Sequence, residues 1–179
     1  MPSPIGHALA GTVVALVADR TLGQQWPSAK RLAVCCTCAA LAVLPDADLL
    51  YQPIHRTVTH SLVSIPLVTI LASIVTGWVT GRVVVGFGVL CGLAWGSHIP
   101  LDWLGVDPNP PSGIQALWPF SDRWFISGVD LFPGTERRQI FTQAAVLKNL
   151  RAVLQELAII GPVAVWLWWS RPVRDAGQA

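Results

Sequence analysis

The sequence predicts an all-α fold, a membrane-embedded helical bundle of about five spans with a Pro-, Gly- and Trp-rich cap outside the bilayer. Three observations predict it. Of 179 residues, 53% are hydrophobic and only 12% charged, about half the charge of an ordinary soluble domain. The mean hydropathy is +0.53 and there are nine tryptophans, a composition suited to a surface that faces lipid. Apolar runs at 5–18, 32–44, 62–79, 83–101 and 157–169 recur along the chain. The third and fourth are long enough to cross a bilayer, whereas the others fall short of the roughly 20 residues required and must borrow from their flanks or tilt. Residues 1–179 are expected to form a single domain, with the cap at about 103–135.

Taken in order, the first run opens with His7 and has no basic residue before it, so it reads as a retained span rather than a signal peptide. The second holds Cys35, Cys36 and Cys38, and Cys91 lies in the fourth. No CxxC pair is present, so these thiols are expected to pack as small hydrophobes rather than bind zinc or pair. Gly77 and Gly81, followed by Arg82, mark the turn between the third and fourth runs. Gly88, Gly92 and Gly96 recur every fourth residue, which strips one helix face for close packing. After Trp103 the pattern changes to Pro, Gly and Asp with interleaved aromatics, including Leu117-Trp-Pro-Phe-Ser-Asp-Arg123. Thr135 is the expected N-cap of a final helix that runs through Leu147, Leu150 and Leu154 into the last span. Gly161-Pro162 should kink it.

The charge balance of twelve Lys and Arg against ten Asp and Glu gives a net +2, which excludes the basic footprint of a nucleic-acid binder. The informative residues are the ionisable ones at the ends of apolar runs, where they are costly and hence candidates for function. His7 opens the first run, Asp46 and Asp48 close the second, His60 opens the third, His98 and Asp102 close the fourth, and Glu156 opens the fifth. With alternating topology all of these ends lie on one side of the membrane. His55 joins them from the connector before His60. A lone His or Asp at such a place is ordinarily a cap, but seven converging residues point to one site.

His98 and Asp102 are four apart and so share a helix face, close enough to hold one ion. Neutral imidazoles and carboxylates suit zinc, with manganese or iron as alternatives, and the donor set is rich enough for two or three ions. The metal-ligand candidates are therefore His7, Asp46, Asp48, His55, His60, His98, Asp102 and Glu156. A serine triad around Ser61 is disfavoured, since no Gly-x-Ser-x-Gly elbow is present.

With His7 and Gly11, Leu44-Pro-Asp-Ala-Asp48, His55-Arg-Thr-Val-Thr-His-Ser-Leu62, His98-Ile-Pro-Leu-Asp102 and the Leu117–Arg123 motif in place, the chain resembles the bacterial inner-membrane metal-dependent hydrolases of the YdjM type. That family is similar at a distance to zinc-dependent phospholipase C, and the resemblance implies phosphoester hydrolysis. Ala152 stands four residues before Glu156, where the soluble group closes with His-x-x-x-Glu. In such chemistry an ion activates a water for attack on an ester. Asp46 or Asp48, whichever is not a ligand, would serve as base, and Arg56 or Arg123 would grip a phosphate or merely pair with a carboxylate.

A site at the bilayer surface suits a lipid or lipid-linked substrate, with Trp103, Trp118 and Trp124 at the interface. The alternatives are a divalent-metal transporter and a scaffold whose helix ends are stapled by metal. The short segments opposite the site carry Arg20, Lys30, Arg31, Arg82, Arg171 and Arg174, which places that side in the cytoplasm and the site on the outer face of the inner membrane. Against this, the cap side carries Arg123, Arg137, Arg138, Lys148 and Arg151.

Overall fold

A computed structural model describes residues 1–21, 27–51, 54–137 and 139–170. Arg138, Arg171 and Arg174 of the orientation argument lie outside them. Six α-helices are present among the described residues: α1 Pro4–Thr21, α2 Ser28–Val43, α3 Ser64–Thr80, α4 Val85–Gly96, α5 His98–Leu104 and α6 Gln143–Trp169. There is no β-strand among them, only the isolated bridges Gly105 to Phe132 and Ile114 to Phe125 in the segment expected to form the cap.

Two stretches, Ser28–Leu50 and Gln143–Trp169, are long and apolar enough to cross a membrane, and Ser64–Thr80 is a shorter apolar helix. The helices leave large apolar side chains on the outside, Ile70, Leu71, Trp78 and Trp169 among them. Lipid tolerates such a surface and water does not.

The core lies where α1, α2, α4 and α6 meet, around Leu16, Val34, Cys35, Cys38, Leu90 and Leu167. Cys35, Cys38 and Cys91 are buried and unpaired, as the packing role requires, whereas Cys36, also expected to pack, is exposed on α2. The glycine stripe of α4 lies against α3. A Cβ on Gly88 would come within 2.5 Å of the Thr69 carbonyl oxygen, and one on Gly92 within 2.9 Å of that of Ile65. Gly11 does the same for α1 and α2, because its Cβ would lie 2.2 Å from the Cys38 carbonyl oxygen. At the end away from the candidate site, buried Arg31 of α2 bonds Asp19 of α1 at 2.9 Å. It also donates to the Trp168 and Leu167 carbonyls of α6 at 3.0 and 3.2 Å. One guanidinium thus joins three helix ends and satisfies backbone carbonyls that α6 leaves open at its C-terminus.

Three expected boundaries are corrected. The run 83–101 is two helices, broken at Ser97, so that α5 stands as a separate seven-residue helix carrying both His98 and Asp102. After α2 the chain tightens into a 3-10 helix over Leu44–Leu50, with Pro45 in its first turn. The final helix starts at Gln143, capped by Thr142 Oγ1 accepting from Ala145 N at 3.3 Å, and not at Thr135. The Thr135–Glu136 backbone is engaged elsewhere: Asn149 accepts from Glu136 N at 2.7 Å and donates to Glu136 O at 3.0 Å, which folds this segment back along α6. Helix α6 continues unbroken through Pro162.

Candidate metal centre

The 3-10 turn after α2 delivers Asp46, the one before α3 delivers His60, and α5 delivers His98 and Asp102. One donor atom from each of these four buried residues lies within 4.8 Å of the other three. His98 Nε2 is 3.0 Å from His60 Nε2 and 3.1 Å from Asp102 Oδ2. His60 Nε2 is 3.3 Å from the same oxygen, and Asp46 Oδ1 is 3.8 Å from both imidazole nitrogens. A tetrahedral ion with bonds of about 2.1 Å has edges of about 3.4 Å, and the observed separations fall on either side of that value.

The remaining ring nitrogens explain why the Nε2 atoms face one another. His98 Nδ1 donates to the Ala42 carbonyl at 2.8 Å, and His60 Nδ1 lies 3.2 Å from Asp48 Oδ2. Each ring thus carries its proton on Nδ1 and presents a lone pair at Nε2, and two lone pairs 3.0 Å apart cannot bond each other. They suit a cation between them. Asp46 Oδ1 and both Asp102 oxygens are buried without a hydrogen-bond partner, as metal-directed carboxylate oxygens would be. The donor set fits a divalent ion of the zinc type.

Without an ion, the same carboxylates draw a proton onto His60 in its place. Burial alone would lower the pKa of His60, but the carboxylates of Asp102, Asp46 and Asp48 outweigh it and hold the imidazole well above its ordinary range.

The other expected ligands are placed differently. His7 stacks on His98 with centroids 3.7 Å apart, and its Nε2 is 3.4 Å from Asp102 Oδ1, so it sits beside the four-donor group. Asp48 stands behind His60: one oxygen takes His55 Nδ1 at 2.6 Å, and the other takes Arg56 N at 3.1 Å and the Thr59 hydroxyl. It orients a ligand imidazole from behind, with both of its oxygens engaged. His55 in turn fixes Asp48. Glu156 is not in the group; it accepts from the backbone N–H of Ser3 at 2.6 Å and from the Ser3 hydroxyl, fixing the start of α1.

Neither of the two arginines expected to grip a phosphate reaches the four donors. Arg56 pairs with Asp107 of the cap and lies over Trp124, and Arg123 is exposed on the cap. The guanidinium at the site is that of Arg137, whose Nη2 is 3.2 Å from Asp46 Oδ2. Sequence reasoning counted Arg137 only as a cap charge, because it lies 91 residues from Asp46 in a segment without periodicity.

A family model described as YdjM inner membrane protein matches residues 1–172. No curated protein and no solved structure matches.

Proposed function

The chain belongs to the YdjM inner membrane protein family, and we propose that it is a metal-dependent hydrolase acting on a phosphoester of a lipid or lipid-linked substrate. The observation that carries this reading is the convergence of Asp46, His60, His98 and Asp102 with both histidines preset to ligate through Nε2. An ion held there supplies Lewis-acid activation of water and of an ester oxygen. Zinc is the ion the two imidazoles and two carboxylates suit best. The expected two or three ions narrow to one, since His7 and Asp102 Oδ1 alone offer too few donors for a second.

The chain's own residues divide the remaining work. Asp46 bridges the donor group and Arg137, and so ties the guanidinium to the ion site. Arg137 supplies the fork of N–H donors for a phosphoryl group. Asp48 and His55 keep His60 in its tautomer. The bundle is proposed to cross the bilayer five times, with α4 and α5 sharing one crossing and the site on the outer face of the inner membrane.

The protein in lipid nanodiscs, loaded with zinc or manganese, should release phosphate or a phosphorylated headgroup from at least one bacterial lipid, with loss of release on chelation and in His98→Ala. A panel of lipids and soluble phosphoesters read by mass spectrometry tests this, and no chelator-sensitive product from any of them would overturn it.

A second reading, a metal that only staples helix ends, is favoured by the burial of His60, His98 and Asp102, each without measurable exposure of its side chain. It predicts that chelation unfolds the protein and that no ester is cleaved.

A further inference from the structure

Two cavities adjoin the donor group and differ in character. The first, of about 970 Å³, lies between α1, α2 and α6, walled by Ile5, Ala8, Ala40, Val43 and Val153 and reaching Asp46 at its inner end. Its walls are almost wholly apolar, and Ile5, Ala40 and Leu44 are exposed on the helix faces around it. The second, of about 560 Å³, lies under the cap and is bounded by His55, Arg56, Asp107, Asn109 and Lys148. Both volumes fall in the range of about 300–1,000 Å³ typical of small-molecule sites.

The two share one wall, made by Leu49, Thr135, Glu136 and Arg137. Arg137 is therefore the charged group at the boundary of an apolar and a polar compartment, and it is bonded to Asp46 of the donor group. The polar compartment is lined by three side-chain cations, each paired with a carboxylate: Arg56 with Asp107, Lys148 with Glu136 and Arg137 with Asp46, and a phosphoryl head would share the donors of these guanidinium and ammonium groups.

We propose that these two cavities form one bipartite site for a single-chain amphiphile: the hydrocarbon chain lies between α1, α2 and α6, a phosphoryl group sits at Arg137, and the rest of the head lies under the cap. The choice of a phosphoryl head rests on the hydrolase reading; the placement of the chain does not. A chain in the first cavity lies along its apolar walls, with the open side bordered by the exposed Ile5, Ala40 and Leu44. Recognition then depends on one chain and one anionic group, and a free phosphate, which lacks the chain, would be held weakly.

The test uses the full chain, zinc-loaded in detergent, with a lysophosphatidate bearing a diazirine in its tail as probe. Cross-links should map to Ala8, Ala40 and Val43, and unlabelled lysophosphatidate should compete at least about tenfold better than inorganic phosphate. Ala40→Trp fills the cavity from an exposed position and should cut labelling at least about tenfold while bound zinc stays at the wild-type level. If that variant loses zinc, Ala8→Leu takes its place in the same comparison. Arg137→Ala should weaken competition by lysophosphatidate and leave competition by oleyl alcohol unchanged. Labelling spread over the lipid-facing side of α3, or labelling indifferent to both cavity-filling variants, would overturn the proposal. Binding without turnover would sink the hydrolase reading and leave this site standing. Turnover of a long-chain lipid undiminished by Ala40→Trp would do the reverse.

Discussion

At the scale of single residues, the two aspartates of Leu44-Pro-Asp-Ala-Asp48 have separate duties although they stand two apart in sequence. Their connector is a 3-10 helix, which turns about 120° per residue, so side chains at i and i+2 point in different directions. Asp46 meets the donor group and Asp48 the back of His60. The expected outcomes differ in kind. His98→Ala and Asp102→Ala should each abolish stoichiometric zinc, measured by mass spectrometry of the metal, while Asp48→Asn should keep the site and weaken it about 10- to 100-fold in a chelator competition, the usual cost of losing a carboxylate behind a ligating imidazole. Glu156→Ala should leave zinc content intact and lower thermal stability by about 1–3 kcal/mol, because Ser3 then loses a buried acceptor for its N–H and hydroxyl. Full zinc loss in Glu156→Ala would show that it belongs among the ligands after all. The pairing of His98 with Asp102 was legible in the sequence, since four residues on a helix fix it. The division between Asp46 and Asp48 was not, since i and i+2 point apart by about 200° in an α-turn and about 240° in a 3-10 turn, and neither spacing says which aspartate faces the donors. Arg137 had no readable signal of position at all.

At the scale of elements, α5 takes its place from α4, and α4 takes its place from glycines that let it lie against α3. A Cβ on Gly92 would meet Thr69 Oγ1 at 2.1 Å as well as the Ile65 carbonyl, so Gly92→Leu should part the two helices. The expected result is a lower melting temperature together with reduced zinc, although no ligand is touched. Gly86→Ala is the control: nothing lies within 4 Å of that Cβ, and a helix-favouring residue there should leave stability unchanged or raise it by up to about 1 kcal/mol. Equal loss in both variants would count against helix spacing as the cause. The four-residue glycine period announced this contact, whereas the break at Ser97 and the late start of α6 were hidden. Gly96-Ser-His98 interrupts the apolar run at the first too briefly to mark a helix end, and the second is set by Asn149 reaching back to Glu136 from inside the helix.

At the scale of the whole molecule, the gathering of His60, His98, Asp46 and Asp102 followed from counting apolar runs, and the lack of helix between α5 and α6 followed from the Pro and Gly content of that stretch. Which face of the membrane it occupies is open to direct measurement. Asp122→Cys, exposed on the cap, should react with a membrane-impermeant thiol reagent in spheroplasts, with the unsubstituted protein as background. Labelling only after lysis would place the site in the cytoplasm. The Arg31 junction bears on how anything enters that site. It pins α1, α2 and α6 together at one end, and the apolar cavity lies between the same three helices at the other. The arrangement is a pair of tongs with a fixed pivot. Gly11 holds α1 against Cys38 and Ala42 of α2 on the mouth side of that pivot, so opening falls to α6. From Val153 to Leu167 α6 extends about 21 Å, and a tilt of ~5° about the pivot would move the near end by ~1.8 Å and widen the mouth sideways with every helix intact.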